Sequence, residues 1–282
     1  MSAPHFSGRN AIIVTKHGKE NVMAPIFNAR LQLSCEVNRV FDTDQLGCFS
    51  GEIRREDDVQ QVLRNKCLAG LEDSKFDIAI ASEGSFYPHP QIWFRSCNEE
   101  RIMIMDKKNN LEITAHTLSL DTNHASKQVS DWDELTKFAE GAGFPQHGLI
   151  LRSGTNQYTH QMKGIRDIHI LKEAFQSLLP VNGTVYVETD MRAHVNPSRM
   201  KVIETTAQKL CDKILSLCPI CQWPGFSISD YKTGLPCSEC EYPTRSVLSV
   251  MYKCNHCHHT REELYPKGKK VEDPQYCDQC NP

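Results

Sequence analysis

The chain has 282 residues, of which 39% are hydrophobic and 24% charged, and its formal net charge is −3. This balance is typical of a globular protein with one or two domains and a sizeable core. No apolar run approaches the roughly 18 residues needed to cross a bilayer, and the N-terminus lacks the basic-then-apolar layout of a secretory signal. We therefore expect no membrane association.

The chain contains 13 cysteines, which would suggest disulfides in a short secreted protein. Eight of them instead form four Cys-x-x-Cys pairs, a spacing typical of metal binding, and the other five are scattered. Scattered single cysteines are usually small buried side chains, which fits a reducing compartment. We therefore predict a cytoplasmic location.

Strands and helices alternate along the first part of the chain. Two short apolar runs, Ala11–Thr15 and Phe76–Ser82, are typical of strands buried on both faces of a sheet, and Leu31–Val37 is a third candidate strand. Helices are predicted at Asn21–Asn28, where an internal proline shortens or kinks the helix, and at Glu56–Leu71, which has an apolar face.

Three further runs predict antiparallel strands on the same sheet: Gln91–Arg95, Arg101–Asp106 and Leu111–Leu120. The remaining predicted elements are helices at Asp131–Ala142, Ile165–Leu178 and Ser198 to about Leu217, the last with Pro197 at its start, and strands at Gly148–Arg152 and Gly183–Thr189. This order predicts an α/β fold with a mixed central sheet flanked by helices. We assign the α/β domain to residues 1–210 and a metal-binding module to residues 211–282.

A polar loop follows the first predicted strand and contains Thr15, Lys16, Gly18 and Lys19. A strand that enters such a loop before a helix presents backbone amides at its tip, which is a general anion-binding arrangement. An ordinary surface loop with solvated lysines explains the segment equally well.

Charged residues also lie at the ends of other predicted strands. Glu83 precedes a glycine at the carboxyl end of a buried strand, where open α/β sheets place their ligand crevice. Further along, Asp190, Arg192 and His194 crowd the junction between a strand and the last helix. Either these three residues line the same crevice, or Asp190 and Arg192 pair with each other or cap the helix.

The C-terminal module is defined by its cysteines. The intervals of 15, 13 and 19 residues between successive pairs suit two tetrahedral four-cysteine zinc sites, and the surroundings are short β-rich runs rather than the strand and helix that flank a redox dithiol. The predicted ligands are Cys218, Cys221, Cys237, Cys240, Cys254, Cys257, Cys277 and Cys280.

The spacing leaves the zinc pairing open. Sequential pairing gives two tandem zinc ribbons, whereas cross-bracing joins the first pair with the third and the second with the fourth. His256, His258 or His259 could replace a cysteine, but four thiolates are available for each ion. From residue 218 onward, 7 Lys and Arg face 8 Asp and Glu, so nucleic-acid binding by this module is not expected.

Several motifs together resemble an uncharacterised bacterial family of unknown function whose members end in zinc ribbons. The motifs are Thr-Lys-His-Gly-Lys, Phe-Asp-Thr-Asp, Ser-Gly-Glu-Ile, Ala-Ser-Glu-Gly-Ser-Phe, Thr-Asp-Met-Arg-Ala-His and Gly-Leu-Pro-Cys. The resemblance covers nearly the whole chain and implies no established activity.

The first ~85 residues also resemble the nucleotide-binding half of inosine-triphosphate pyrophosphatases and related non-canonical purine NTP phosphatases. In those families a strand leads into a Thr-x-Asn-x-x-Lys phosphate loop, which is one residue longer than the loop of this chain. The resemblance implies a catalytic acid at Glu52, a basic helix residue at Lys66 and an acid-Gly pair at Glu83. A late His-Arg motif is similar to Arg192 and His194 in inverted order.

This resemblance implies a metal-dependent NTP pyrophosphohydrolase. Glu52 and Glu83, with Asp190, would hold Mg²⁺ or Mn²⁺ and orient the attacking water, while the loop residues and Lys66 bind phosphate. Simpler roles are available: Glu52 can stabilise a helix dipole, and Lys66 can be a solvated helix residue.

Two classes of function follow. The first is a nucleotide pyrophosphohydrolase with two structural zinc ions, for which a homodimer is a candidate assembly. The second is a non-catalytic α/β scaffold whose zinc ribbons contact a protein or nucleic-acid partner.

Overall fold

The computed structural model describes residues 5–38, 58–72, 74–154 and 160–282. The chain divides into two compact units. We call Phe6–Cys211 the α/β unit and Asp212–Pro282 the cysteine unit. His5 also belongs to the cysteine unit. Among the described residues, no helix is both long and apolar enough to span a membrane.

A five-stranded sheet forms the first half of the α/β unit. Its strands are β1 (Asn10–Val14), β2 (Ser34–Asn38), β3 (Ile78–Pro88), β4 (Ser96–Asp106) and β5 (Leu111–Ser119), in the order β2-β1-β3-β4-β5. The strands β2, β1 and β3 are parallel, whereas β4 and β5 add to them as an antiparallel meander. The predicted mixed sheet is therefore present.

Two helices accompany the parallel strands. Helix α1 (Glu20–Leu31) connects β1 to β2, and α2 (Val59–Leu71) precedes β3. Strand β1 lies between β2 and β3, so the chain first moves from β1 to the neighbour on one side, β2, and then crosses to the neighbour on the other side, β3. Such a switch point opens a crevice at the carboxyl ends of the strands, here between β1 and β3.

Helix α2 packs closely on one face of this sheet. Asp58 caps its N-terminus by accepting from two backbone N–H groups, as an N-cap aspartate commonly does. A Cβ at Gly70 would lie only 2.2 Å from a methyl carbon of Val14, so this glycine lets the helix approach β1. The close approach brings Lys66, one turn earlier, over Glu83 in the middle of β3. The prediction that this strand ends before Glu83 is wrong, because β3 continues to Pro88 in its pairing with β4.

Alternation along β3 assigns its side chains to two faces. Ala79 and Ala81 pack in the core beneath α2, so Glu83 lies on that face too. Ser82 and Phe86 lie on the opposite face, together with Glu100, which stands beside Gly84 in the β3–β4 register.

A second sheet completes the α/β unit. It consists of β6 (Ser126–Val129), β7 (Leu149–Arg152), β8 (Gln161–Ile165) and β9 (Val185–Thr189), all antiparallel in the order β6-β9-β7-β8. Helices α3 (Trp132–Ala142) and α4 (Ile168–Asn182) supply the apolar side chains that pack with these strands. Helix α5 (Pro197–Leu215) follows and begins at the proline that the sequence predicts.

Two predictions need correction here, and two strands were missed. The predicted strand Gln91–Arg95 is wrong: the segment is the turn between β3 and β4, and Trp93 and Phe94 are 80% and 71% exposed there. The proline in α1 does not shorten that helix, which continues to Leu31. The strands β6 and β8 were not predicted because both are short and polar, and they belong to a separate antiparallel sheet.

The cysteine unit contains a three-stranded antiparallel sheet of β10 (Ser227–Thr233), β11 (Val247–Lys253) and β12 (Thr260–Leu264). The strands β11 and β12 lie on either side of the third cysteine pair, in the surroundings that the sequence predicts to be rich in β-structure. Loops at the ends of this sheet carry the cysteines.

Candidate functional site

The eight paired cysteines form two clusters. One contains Cys218, Cys221, Cys254 and Cys257, and the other contains Cys237, Cys240, Cys277 and Cys280, with the sulfurs of each cluster within 4.8 Å of one another. The first pair therefore joins the third and the second joins the fourth. This is the cross-braced arrangement, so the sites are interleaved rather than tandem.

The sulfur positions match a tetrahedral zinc site. Zinc–sulfur bonds of ~2.3 Å place neighbouring sulfurs about 3.8 Å apart. The Sγ–Sγ distances are 3.6 Å for Cys218–Cys257 and Cys221–Cys254 in the first cluster. In the second cluster they are 3.8 Å for Cys237–Cys280 and 3.6 Å for Cys240–Cys277. Both donor sets thus fit one zinc ion each.

The four cysteine loops share one local geometry. In each, the residue after the second cysteine donates its backbone N–H to the carbonyl oxygen of the first, over distances of 2.9–3.1 Å. Three of these residues, Gln222, Glu241 and His258, have φ values of 58°, 59° and 59°. This left-handed conformation closes the tight turn that points both sulfurs at one ion.

The histidines beside the third cysteine pair are not part of the clusters. His256 stacks on Trp223 with the ring centroids 4.3 Å apart, and His259 stacks on Phe226 at 5.8 Å. They pack around the first centre, whose four ligands are all cysteines. A closed four-thiolate site leaves no open position for substrate, so both clusters are compatible with structural zinc ions.

The predicted anion-binding loop joins β1 to α1. His17 and Gly18 have φ values of 68° and 71°, which turn the chain sharply before the helix. The side chain of Lys19 then points inward, where Nζ donates to Ser82 Oγ at 3.1 Å and lies 3.5 Å from the Ser82 carbonyl oxygen. Lys19 is buried, and its partner is a hydroxyl rather than a carboxylate.

Two buried ion pairs surround Lys19. Arg199, at the start of α5, donates from Nε to Glu100 Oε1 at 2.7 Å, and both side chains are 0% exposed. Lys66 pairs with Glu83, and both are buried. In the part of the chain that the structure describes, three cationic groups thus lie close to these two carboxylates.

The pKa of Lys19 reflects this balance. Burial and, second, the nearby Arg199 guanidinium lower the pKa of Lys19 to about 7, and Glu100 and Glu83 oppose the shift only in part. A buried lysine whose pKa is lowered in this way is more typical of functional sites than of surface loops.

The two predicted halves of the site do not share one face of the sheet. Lys19 contacts Ser82 on the α5 side, whereas Glu83 is bound to Lys66 on the α2 side. The two halves are nevertheless close enough for Lys66 and Glu83 to affect the pKa of Lys19.

The segment after β9 brings Asp190, Arg192 and His194 to the candidate site. Asp190 is fully buried, accepts from Arg192 at 2.6–3.1 Å and accepts from the Gly164 backbone N–H at 3.0 Å. Asp190 and Arg192 therefore do pair with each other. Both oxygens of the Asp190 carboxylate accept hydrogen bonds from these groups, so its role here is to position the Arg192 guanidinium.

His194 connects this segment to the β1 loop. Its ring stacks on His17 with centroids 4.9 Å apart and an interplanar angle of 21°. Burial lowers the pKa of His194, and His17 and Arg192 lower it further. Two basic segments that lie almost 180 residues apart in the sequence thus meet at the carboxyl end of β1.

A cavity of about 140 Å³ lies beside this meeting point. Its lining includes His124, Tyr186, Glu188, Met191 and Arg192. Burial raises the pKa of Glu188, although the Arg152 guanidinium opposes the shift.

Four residues of this region were not predicted from the sequence: His17 as a stacking partner, Ser82, Glu100 and Arg199. No local motif could have identified the Glu100–Arg199 pair, since its members lie 99 residues apart. The clue to His17 is its place before a glycine in a tight turn.

The described carboxylates do not fit a site for Mg²⁺ or Mn²⁺. Glu83 is held by Lys66 and Asp190 by Arg192. Within the ranges that the structure describes, the two cysteine clusters are the groups of three or more side chains placed to hold a metal ion. The third predicted acid, Glu52, lies outside the described residues.

We expect Lys19→Met to stabilise the protein at pH 6, with an advantage that shrinks as the pH rises. In the wild type, unfolding takes up a proton at Lys19 between its folded pKa of about 7 and its ordinary value of 10.5, so stability rises across that window. The difference in the free energy of unfolding should change by up to about 1.4 kcal/mol per pH unit.

Chemical denaturation at pH 6, 7.5 and 9 measures this difference, with Lys107→Met at an exposed lysine as the control. Parallel pH profiles for the wild type and Lys19→Met would show that Lys19 stays fully charged.

Together these features define an α/β protein with two four-cysteine clusters, each of which could hold a metal ion. The chain belongs to the family described as a domain of unknown function (DUF6671), whose model matches residues 66–282. This agrees with the predicted membership of an uncharacterised family. No curated protein matches the chain. The resemblance to inosine-triphosphate pyrophosphatases stays a prediction.

Proposed function

We propose that the α/β unit binds a nucleotide through its phosphates, between the loop after β1 and the segment after β9. The observation that carries the proposal is the His17–His194 stack, because it joins the two basic segments into one surface at the switch point of the sheet. Lys16 and Arg192 lie on these segments, and both remain partly exposed.

The charge balance supports an anionic ligand. Lys19, Lys66 and Arg199 are buried, and the acidic partners that the described residues supply for them are Glu83 and Glu100. A phosphate group would add negative charge beside Lys19, and its presence would raise the pKa of Lys19. Binding would therefore take up a proton near neutral pH.

We extend the proposal to hydrolysis of a nucleoside triphosphate with release of pyrophosphate. Lys16, Arg192 and His194 would bind phosphate oxygens, and Glu83 would orient the attacking water. The support is the position of the acid-Gly pair on β3, just after the residues that pair with β1. The reaction is tested with and without Mg²⁺ and Mn²⁺, since the described carboxylates are bound to cations.

Pyrophosphate release from a panel of nucleoside triphosphates tests the reaction. The wild type is compared with the double variant Glu83→Gln/Lys66→Met, which removes the ion pair as a unit and so avoids leaving a buried Lys66 unpaired. We expect a loss of about 100-fold or more, the usual contribution of a residue that activates water. Lys107→Met is the control variant.

Equal turnover by the wild type and the double variant would contradict the role of Glu83. Nucleotide binding without turnover, in protein shown to be folded and zinc-loaded, would restrict the function to binding.

A non-catalytic binding function is the alternative, and the outer strands of the cysteine unit favour it. Tyr231 on β10 is 61% exposed and Leu264 on β12 is 57% exposed. Exposed apolar side chains on edge strands are common in surfaces that contact a protein partner. Under this alternative both centres would only hold the contact surface in shape.

A further inference from the structure

Asn98 on β4 is buried, and the hydrogen-bonding capacity of its side-chain amide is not satisfied. It is 0% exposed, yet within the described part of the chain neither Nδ2 nor Oδ1 has a hydrogen-bond partner. Oε2 of Glu100, two residues along the same strand, is also buried without a partner. Such groups are rare because an unsatisfied buried amide is costly, so their retention calls for an explanation.

These atoms lie on one face of the sheet. Asn98 stands opposite Phe86 in the β3–β4 register, and Glu100 stands opposite Gly84. Ser82, which contacts Lys19, belongs to the same face of β3. The unsatisfied groups of Asn98 and Glu100 therefore lie on the same face of the β3–β4 pair as Ser82, further along the strands from the proposed phosphate-binding end.

The spacing along β3 suits an extended ligand. From Ser82 to Phe86 the strand advances four residues, or about 13 Å. This length exceeds a phosphate or a sugar phosphate and is comparable to that of a nucleotide.

Aromatic groups flank the far end. The Phe86 ring stacks with His124 at 5.5 Å, and the Arg199 guanidinium lies 5.4 Å from its centroid. His124 is also a wall of the 140 Å³ cavity. Phe86 does not line this cavity, but His124 touches both, so displacement of the His124 ring would connect the cavity to the face of Phe86. A cavity of about 150 Å³ accepts a benzene ring, which is the size class of a planar base.

We propose that Asn98 and Glu100 bind the edge of a nucleobase that stacks on Phe86. This inference rests on the proposed function for the position of the phosphates. The amide offers a donor and an acceptor, and the carboxylate offers a second acceptor. Guanine presents the complementary set, an O6 acceptor with N1–H and N2–H donors, whereas adenine offers fewer donors.

Isothermal titration calorimetry with GTP, ATP, guanosine and tripolyphosphate tests the proposal. We expect GTP to bind the wild type at least 10-fold more tightly than either ATP or tripolyphosphate. Asn98→Leu keeps the branched shape and the number of heavy atoms of the side chain, and it should remove the advantage of GTP while leaving tripolyphosphate binding unchanged. Gln128→Leu, on the second sheet, is the matched control.

A second measurement separates a ligand site from a structural role. Because Asn98→Leu removes an unsatisfied buried amide, its melting temperature without ligand should equal or exceed that of the wild type. A lower melting temperature with unchanged GTP binding would identify Asn98 as the partner of an internal water and overturn the proposal.

The probes also separate this proposal from the proposed function. Equal affinities for GTP, ATP and tripolyphosphate would overturn base recognition and leave the phosphate site intact. Asn98-dependent binding of guanosine without binding of tripolyphosphate would support base recognition and reject the phosphate site. Absence of binding by all four probes would overturn both.

Discussion

Removing zinc is expected to unfold the cysteine unit while the α/β unit keeps its secondary structure. The cysteine unit has only a small apolar cluster around Phe226, so its folding free energy must come largely from the metal. Structural zinc contributes about 10–16 kcal/mol in small zinc-binding peptides, far more than such a cluster supplies. Elemental analysis should find two zinc ions per chain before chelation, and circular dichroism should report partial unfolding after it.

Cysteine variants test the pairing directly. Replacing Cys218, Cys221, Cys254 and Cys257 by serine should leave one zinc ion per chain, because these four residues form one centre. Replacing Cys218, Cys221, Cys237 and Cys240 should leave none, because both centres lose half of their ligands. The opposite result, none in the first variant and one in the second, would establish sequential pairing.

The second large effect is expected at Glu100. Glu100→Gln removes the charge that compensates Arg199, and both side chains are 0% exposed. Leaving one partner of a buried pair uncompensated typically costs about 3–5 kcal/mol, because the remaining charge has lost its solvent as well as its partner. Urea denaturation followed by circular dichroism measures the change in the free energy of unfolding.

Two further variants complete this test. Glu112→Gln breaks the Arg64–Glu112 pair, whose members are 37% and 36% exposed, and should cost no more than about 1 kcal/mol. The double variant Glu100→Leu/Arg199→Met removes both charges and should recover most of the stability. A small cost for Glu100→Gln would mean that solvent reaches the pair.

The sequence predicts best where chemistry is local. The two residues between paired cysteines determine the turn geometry, so all eight ligands and the use of two metal sites are predicted from spacing. The pairing is not predicted, since cross-bracing depends on how β10, β11 and β12 fold between the pairs. The buried strands and the helix beginning at Pro197 are predicted because their apolar runs and caps are short-range signals.

The α/β site depends on long-range contacts and was predicted only in part. Alternation along β3 separates Glu83 from Ser82, and the sequence alone does not reveal which face receives Lys19. The pair of Asp190 and Arg192 is local and was one of the two predicted alternatives. The partners of Lys19 and Arg199 come from distant strands, so no spacing rule could identify them.

The interleaving of the two centres sets an order of assembly during synthesis. The first centre has all its ligands once Cys257 has emerged, while Cys237 and Cys240 already lie within the loop that this centre closes. The second centre must wait for Cys277 and Cys280, which then meet two thiols already held at a fixed separation. The first centre thus has its complete set of ligands earlier in synthesis than the second, although the two sets alternate along the chain.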